Sequence, residues 1–516
     1  MLSNAPGGAS FSVALKDESA LHGLVVEIAN MLEPGDLVTL SGDLGAGKTT
    51  FTRAMIRHLA GDPKIAVPSP TFTLMQNYEL PRFPVVHADL YRLSNVSELA
   101  ELGFDDLPEN AVVFMEWPDR AESLLPADRI DIAFTMIPKQ GIDARNVRIT
   151  GFGKLAARIE RVGAMRRFLE KYRYAEAART RLAGDASTRS YERIETSKGG
   201  LMLMNSPRRP DGPPVRDGKP YSAIAHLAED VVPFVAMAHG LRAYGFSAPE
   251  IFHSDLENGF LILEDFGDEL VVAGTPPQPI EDRYGAAVEL LATLHLQNLP
   301  STLPVVAGLA YDIPAYDMDA FLIEAELLLD WFIPRTGASL SSGARDAFIA
   351  LWRESLEPAL NAPPTWVLRD FHSPNLIWLP RRGDIGQIGL LDFQDALIGP
   401  AAYDLASLLQ DARVDVPESL ELSLLGRYAK LRRQADPDFD AAAFVALYAT
   451  MAAQRATKIL GIFARLEKRD GKPQYLRHMP RVWGYLQRAL AHPSLAALAA
   501  WYTLYVPDFT ATNTKD

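Results

Sequence analysis

Gly42-Asp43-Leu44-Gly45-Ala46-Gly47-Lys48-Thr49-Thr50 fits the pattern G-x-x-x-x-G-K-[ST] over its first eight residues. A glycine-rich loop of this kind cradles phosphate oxygens with backbone N–H groups when it leaves a strand and enters a helix. Both flanks are present. Leu37-Val-Thr-Leu-Ser41 is a short apolar run suited to a buried strand, and Thr50 to Leu59 has the spacing of an amphipathic helix. Residues 42 to 50 are therefore the candidate nucleotide-binding loop, with Lys48 neutralising the β- and γ-phosphates and the Thr49 hydroxyl as a magnesium ligand. Downstream, Ala111-Val-Val-Phe-Met-Glu116-Trp117 is an apolar run ending in a carboxylate, as a central parallel strand would deliver an acid to the rim of a phosphate site. Glu116 is expected to serve a metal or water there. Between these lie Pro68-Ser-Pro-Thr71-Phe72 and His87-Ala-Asp89-Leu-Tyr91-Arg92. Asp89 and Arg92 could sense or position a γ-phosphate, or form only a solvated cluster at a strand end.

A second ATP-handling signature lies more than three hundred residues later. Trp366-Val-Leu-Arg369-Asp370-Phe-His372-Ser-Pro-Asn375 is followed by Leu390-Leu-Asp392-Phe-Gln, the catalytic-loop and metal-Asp spacing of protein-kinase-like phosphotransferases. Asp370 can accept the proton of an attacking hydroxyl, while Asn375 and Asp392 can hold magnesium against the phosphates. His372 reads as a structural hydrogen-bonder rather than a base. Phe260-Leu-Ile-Leu-Glu264-Asp265-Phe266-Gly267 contains the letters D-F-G but precedes the catalytic loop. It is read instead as a last strand and a hinge, where backbone groups of Glu264, Asp265 and Phe266 would meet adenine. Gly184-Asp-Ala-Ser-Thr-Arg-Ser-Tyr191, then Glu192-Arg-Ile-Glu and Leu201-Met-Leu-Met-Asn205, reads as strand, turn and strand over a nucleotide. The lysine expected on that last strand is missing.

Composition bounds the alternatives. A chain of 516 residues is too long for one core, and a prior of about 150 residues per domain suggests roughly three units. Apolar residues at 48% and charged residues at 22% suit a globular protein with no membrane span. The N-terminus lacks signal-peptide regions, so cytoplasm is the expected location. With no cysteine, disulfides, thiolate zinc and cysteine nucleophiles are excluded, and any metal must sit on oxygen or imidazole. A net charge of −14 argues against a broad grip on nucleic acid. The basic run from Lys154 to Arg181 has helical periodicity and is read as a junction and a first helix with a solvated face. Trp483, Tyr485, Trp501, Tyr502 and Tyr505 are read as core, and Thr510 to Asp516 as a disordered tail.

GDLGAGKTT, SPTF, HADLYR and Glu116-Trp117, in that order, resemble the TsaE family, ATPases of the bacterial machinery that makes threonylcarbamoyl-adenosine in tRNA. The resemblance covers residues 1 to about 155. It implies that Lys48, Thr49 and Glu116 bind MgATP, that Asp89 belongs to the catalytic set, and that TsaB and TsaD proteins are partners. Arg369 to Asn375, Asp392-Phe-Gln-Asp395-Ala-Leu-Ile-Gly-Pro400 and the Leu263-Glu-Asp-Phe-Gly267 hinge resemble the aminoglycoside phosphotransferase family. Its AmgK branch, which phosphorylates the anomeric hydroxyl of N-acetylmuramate and N-acetylglucosamine in cell-wall recycling, is the most similar. This chain carries Leu368 where many relatives place a histidine. Asp395 and His372 are further candidates for substrate contact.

The expected architecture is an α/β P-loop domain (1–155), a junction with a first helix (156–180), and a two-lobed α+β kinase-like domain (181–270 and 271–510). The expected cofactors are ATP and magnesium, and the acceptor a small amino sugar. Choline, an amino alcohol or an aminoglycoside remain alternative acceptors, and a nucleotide-sensing module or an interaction platform alternative roles.

Overall fold

The computed structural model describes residues 8–93, 107–141, 143–182, 189–210 and 212–507. Residues 184–188 of the turn read above, and the tail from Thr510, lie outside them. The chain divides into two compact units, Met1–Asn205 with His253–Ile262, and Ser206–Phe252 with Leu263–Asp516.

The first unit holds a seven-stranded mixed sheet: β1 (Ala9–Leu15), β2 (Leu37–Ser41), β3 (Met75–Tyr78), β4 (Val85–Asp89), β5 (Val112–Glu116), β6 (Arg129–Met136) and β7 (Arg145–Phe152), in the order β1-β7-β6-β2-β5-β4-β3. Strands β4, β5, β2 and β6 run parallel, so the acid ending β5 emerges beside the loop leaving β2. Central strands β2 and β4 are apolar and buried along most of their length, as strands covered on both faces must be. Helix α1 (Glu18–Met31) starts on Asp17, whose Oδ1 accepts the Ala20 N–H at 2.9 Å. Helix α2 (Lys48–Ala60) starts on Gly47 with no side-chain cap, leaving its first N–H groups toward the loop.

The periodic basic run is helical only over Leu155–Lys171 (α3), because Arg173 turns left-handed at φ 66° and the chain resumes as a strand at Arg179. Nor is its basic face simply solvated. Arg158 pairs with Asp36 at 2.6 Å, Arg166 with Glu27 at 3.1 Å and Arg179 with Glu27 at 2.7 Å, so long side chains that looked free in sequence serve partners far along the chain.

Beyond α3 comes a five-stranded sheet of β8 (Arg179–Arg181), β9 (Ser190–Thr196), β10 (Gly199–Asn205), β11 (Ile251–Asp255) and β12 (Phe260–Glu264), ordered β11-β12-β10-β9-β8. Phe260 and Ile262 pack with Ile194, Leu203, Met165, Phe168 and Leu169 in one core. Phe260–Glu264 is therefore a strand, and the D-F-G letters follow its end.

The second unit is mainly helical. Antiparallel pairs β13 (Pro364–Val367) with β16 (Leu397–Pro400), and β14 (Leu376–Trp378) with β15 (Ile388–Leu390), frame the second motif. Helices α4 (Met318–Ala325), α5 (Ala402–Leu409) and the 30-residue α6 (Ala441–Asp470) surround it. Trp483, Tyr485, Trp501 and Tyr502 are buried, and Tyr505 is half-buried against Trp501. On α6, Gly461 lies so close to Leu327 that a Cβ would sit 2.6 Å from the Leu327 carbonyl oxygen. Since backbone cannot swing aside, Gly461→Ala is expected to cost about 2 kcal/mol. Denaturant unfolding checks this through a lower midpoint at unchanged slope.

Candidate active sites

In the first unit, strand β2 feeds a loop that only glycine can begin. At Gly42, φ is 136° and a Cβ would meet the Phe134 carbonyl oxygen at 2.5 Å. The loop closes on Lys48, whose Nζ donates to the Gly42 and Asp43 carbonyls at 2.7 and 3.0 Å and sits 3.8 Å over the Trp117 ring. Burial pulls this ammonium below its ordinary pKa, and Glu116 and Asp89 oppose the shift. Thr49 Oγ1 donates to Glu116 Oε2 at 2.8 Å, and His87 Nε2 lies 2.9 Å from Glu116 Oε1. Both oxygens of this buried acid are therefore oriented before any ligand arrives. Asp89 accepts from Thr71 Oγ1 at 2.7 Å, Ser69 Oγ at 3.3 Å and the Tyr91 N–H at 3.0 Å. The SPTF segment is thereby tied to HADLYR.

Leu44, Gly45, Gly47, Thr50 and the four side chains Lys48, Thr49, Asp89 and Glu116 line one cavity of about 270 Å³. Arg92 does not line it; its guanidinium stacks on Phe72 at 4.0 Å. Arg145, which the sequence did not single out, donates from Nε to the Ala46 carbonyl at 2.9 Å and braces the loop from β7.

In the second unit, the β14–β15 register brings the second motif together. Asn375 precedes β14, Leu391 N–H donates to the Asn375 carbonyl at 3.0 Å, and Asp392 follows, so Asn375 Nδ2 lies 3.5 Å from Asp392 Oδ2. Asn375 Nδ2 also donates to the Asp370 carbonyl at 2.9 Å, joining the three residues read as one set. Arg369 and Asp392 adopt left-handed φ values of 70° and 57°. The turn at Arg369 is held by Asp404, whose carboxylate accepts the Leu368 and Arg369 N–H groups at 2.6 and 2.8 Å. Burial pushes the Asp404 carboxyl up to about 7 against those two donors. Asp411 accepts from Ser373 N–H at 2.9 Å and Oγ at 2.5 Å. Gln394 Nε2 donates to Asp392 Oδ1 at 3.0 Å.

Below the loop, the buried Glu324 carboxylate receives the Arg369 guanidinium, Lys458 Nζ at 2.7 Å and Tyr316 OH at 2.5 Å. Burial would raise Glu324, but the two cations hold it at about 2. Burial also works to raise Asp370, and the charges of His372, Arg455 and Lys458 hold it below the usual carboxylate range. His372 is itself pushed down to about 4 by burial and Arg413, so at neutral pH the lasting charges of Arg455 and Lys458 keep Asp370 ionised. His372 Nε2 lies 3.7 Å from Asp370 Oδ1. Sequence reading missed Glu324, Asp404, Asp411, Arg455 and Lys458 as supports. The available signal was charge on helical faces otherwise apolar, as in α6.

Asp395 Oδ1 accepts the Ala228 N–H at 2.6 Å, so one of its oxygens already serves a loop. Among the hinge residues, Glu264 meets the Arg382 guanidinium, Asp265 Oδ1 accepts the Gly267 N–H at 2.9 Å, and Phe266 stacks under Arg382 at 5.0 Å. Among the described residues no three His, Asp or Glu side chains gather into a metal cage. Thr49 with Glu116, and Asn375 with Asp392, are two-donor oxygen sets, which fit magnesium carried in by phosphates. No described helix is long and apolar enough to cross a membrane.

Residues 15–146 match the family described as threonylcarbamoyl adenosine biosynthesis protein TsaE, and residues 178–445 match the phosphotransferase enzyme family. The chain is 37% identical over 361 residues to the N-acetylmuramate/N-acetylglucosamine kinase of Caulobacter vibrioides, covering 67% of this chain and 97% of that one. It is 34% identical over 326 residues to the enzyme of that name from Pseudomonas aeruginosa, covering 61% and 85%. At the other end, it is 39% identical over 118 residues to the tRNA threonylcarbamoyladenosine biosynthesis protein TsaE of Rickettsia felis, covering 23% of this chain and 68% of that one.

His295 gives the second unit a pH signature. Its Nδ1 lies 2.8 Å from Tyr428 OH, and burial pushes it down to about 3. A histidine with a lowered folded pKa is neutral when native but takes a proton when unfolded below about 6.5, so its contribution is present above that pH and lost as pH falls. Between pH 7.5 and pH 5 it should remove about 2 kcal/mol of unfolding free energy. Denaturant titrations at the two pH values, with His295→Gln flattening the difference, check this.

Proposed function

We propose, for a chain that belongs to the TsaE family through its first domain and to the phosphotransferase enzyme family through its larger part, two ATP-dependent activities. The first is nucleotide hydrolysis in support of tRNA threonylcarbamoyladenosine formation, in company with TsaB and TsaD proteins. The second is ATP-dependent phosphorylation of the anomeric hydroxyl of N-acetylmuramate or N-acetylglucosamine. The observation that carries the second is the joined geometry of Asp370, Asn375 and Asp392, supported by the 37% identity to a kinase of that name across 97% of its length.

In the kinase, Asp370 takes the proton of the sugar hydroxyl as its oxygen bonds to the γ-phosphorus and the bond to the β-phosphate oxygen breaks, releasing ADP. The nearby cations keep Asp370 available as a base. Asn375 and Asp392 would hold magnesium, which when bound neutralises charge on the phosphates. Backbone of Glu264 to Phe266 would meet adenine, and Asp395, whose Oδ1 holds the Ala228 N–H and whose Oδ2 lies 3.4 Å from Gln394 Nε2, would stand on the acceptor side. Phosphoryl transfer is mostly positioning, so a loop clamped by Asp404 and Asp411 supplies what the chemistry requires.

In the ATPase, the loop from Gly42 to Thr50 would hold the phosphates, Thr49 and Glu116 the magnesium, and Asp89 an attacking water. His87 keeps Glu116 aimed at this site. Leu44 of the cavity lining and Phe72, next to the lining residue Thr71, are 73% and 80% exposed, and such apolar side chains suit a protein partner better than bulk water.

A nucleotide-sensing role for the second part is the other reading, favoured by one feature: β10 carries no lysine. The intact protein, Asp370→Asn and Lys48→Ala, assayed for phosphosugar and ADP with N-acetylmuramate, N-acetylglucosamine, choline and an aminoglycoside, separate these readings. Sugar-dependent turnover is expected to fall about a thousandfold in Asp370→Asn and to persist in Lys48→Ala. ADP release stimulated by TsaB and TsaD should vanish only in Lys48→Ala. Absence of substrate-dependent turnover in the intact protein would promote the sensing reading; turnover with choline or the aminoglycoside alone would move the acceptor class.

A further inference from the structure

Helix α1 lies within the TsaE match, and strands β8 and β9 lie within the phosphotransferase match. Inside the first unit these elements share one buried ion network. Glu27, 2% exposed, receives Arg179 of β8 at 2.7 Å and Arg166 of α3 at 3.1 Å. Arg179 also lies 3.3 Å from Glu192 of β9, and Glu192 accepts from Asn30 Nδ2 at 3.1 Å.

The last turn of α1 is equally committed. Its carbonyls at Ala29 and Leu32 accept from Arg82 at 2.8 and 2.9 Å, Asn30 from Arg181 of β8 at 2.6 Å, and Met31 from Arg158 at 2.9 Å. Cations at a helix C-terminus satisfy carbonyls that no helical N–H can reach. One of the three arginines doing so belongs to a kinase-side strand. Arg161 of α3 reaches Asn205 at the end of β10 at 2.9 Å. Strands β8, β9 and β10 are thus each fastened to the ATPase side or to the helix leaving it.

We propose that Glu27 and Asn30, residues of the ATPase part, are positioning residues for the kinase: through Arg179, Arg181 and Glu192 they fix the strands expected to cover its nucleotide. The inference rests on the kinase reading above. Removing Glu27 leaves Arg179 and Arg166 short of a buried counter-charge, and strands held by that pairing lose their fixed position. Nucleotide binding suffers first, because these strands carry no chemical group of the phosphoryl transfer.

The test uses the full chain. In Glu27→Gln, KM for ATP in phosphosugar formation should rise about tenfold, with KM for the sugar and the P-loop hydrolysis rate within twofold of the parent. Amide hydrogen exchange across residues 190–205 should accelerate. Unchanged KM for ATP and unchanged exchange would overturn the proposal. If Glu27→Gln loses both activities together, Asn30→Ala decides: it removes only the Nδ2 donor to Glu192, and a selective rise in KM for ATP supports the proposal, whereas parental kinetics overturn it. If the parent forms no phosphosugar, the kinase reading fails on its own. The positioning role is then scored by calorimetric binding of a non-hydrolysable ATP analogue in a Lys48→Ala background, where weaker binding in Glu27→Gln supports it and equal binding refutes it.

Discussion

Two backbone N–H groups ending on one buried carboxylate hold the catalytic loop of the second unit in place. Arg369 at φ 70° is an unfavourable backbone for a residue with a Cβ, costing about 1–2 kcal/mol. Intramolecular hydrogen bonds contribute about 0.5–1.5 kcal/mol each, so the Leu368 and Arg369 donors to Asp404 together offset that strain. The left-handed step sets the direction of Asp370, and Asp411 fixes Ser373, the residue after His372, in the same way. Glu324 then anchors the Arg369 side chain from below with Lys458 as a second counter-charge. The anchors of this loop at Leu368 and Arg369 are backbone N–H groups, so that hold does not depend on a histidine side chain at position 368.

The first unit solves a related problem with related parts. Glu116 arrives at the end of a buried parallel strand, where an unpartnered carboxylate would be costly, and Thr49 and His87 each take one of its oxygens. In both units an acid is carried to the rim by regular structure and oriented by hydrogen-bonding neighbours. Each site offers two oxygen donors, one of them an acid, which suits a cation that brings phosphate oxygens with it.

What the sequence disclosed follows from chemistry that is local. The loop from Gly42 to Thr49 needs its glycines within a few residues of one another, and Asn375 and Asp392 are joined by one short β-ladder, so spacing alone reveals both. Strand ends at Ser41 and Glu116, and the strand ahead of the misleading D-F-G letters, were legible for the same reason. The supports were not. Asp404 lies 35 residues from Arg369, and Glu27 lies 152 residues from Arg179, so no window of sequence contains both partners. The arginines between residues 158 and 181 looked like a solvated face because a charged side chain gives no sign of whether a distant carboxylate awaits it.

Helix α3 shows how two families come to share one compact unit. Its first turns place Leu155 and Ile159 in the core of the seven-stranded sheet, while Met165, Phe168 and Leu169 belong to the core of the five-stranded one. A flexible linker between two finished domains would expose its residues to water, but this helix buries apolar side chains at both ends and arginines on its flank. With 17 residues it spans about 25 Å, and a helix of that length transmits a fixed distance and rotation from one core to the next. Loosening the second sheet from the first would therefore require breaking the core contacts of α3 as well as the Glu27 network, and those two restraints act on the same strands. The junction is thus a structural element of both domains rather than a spacer between them.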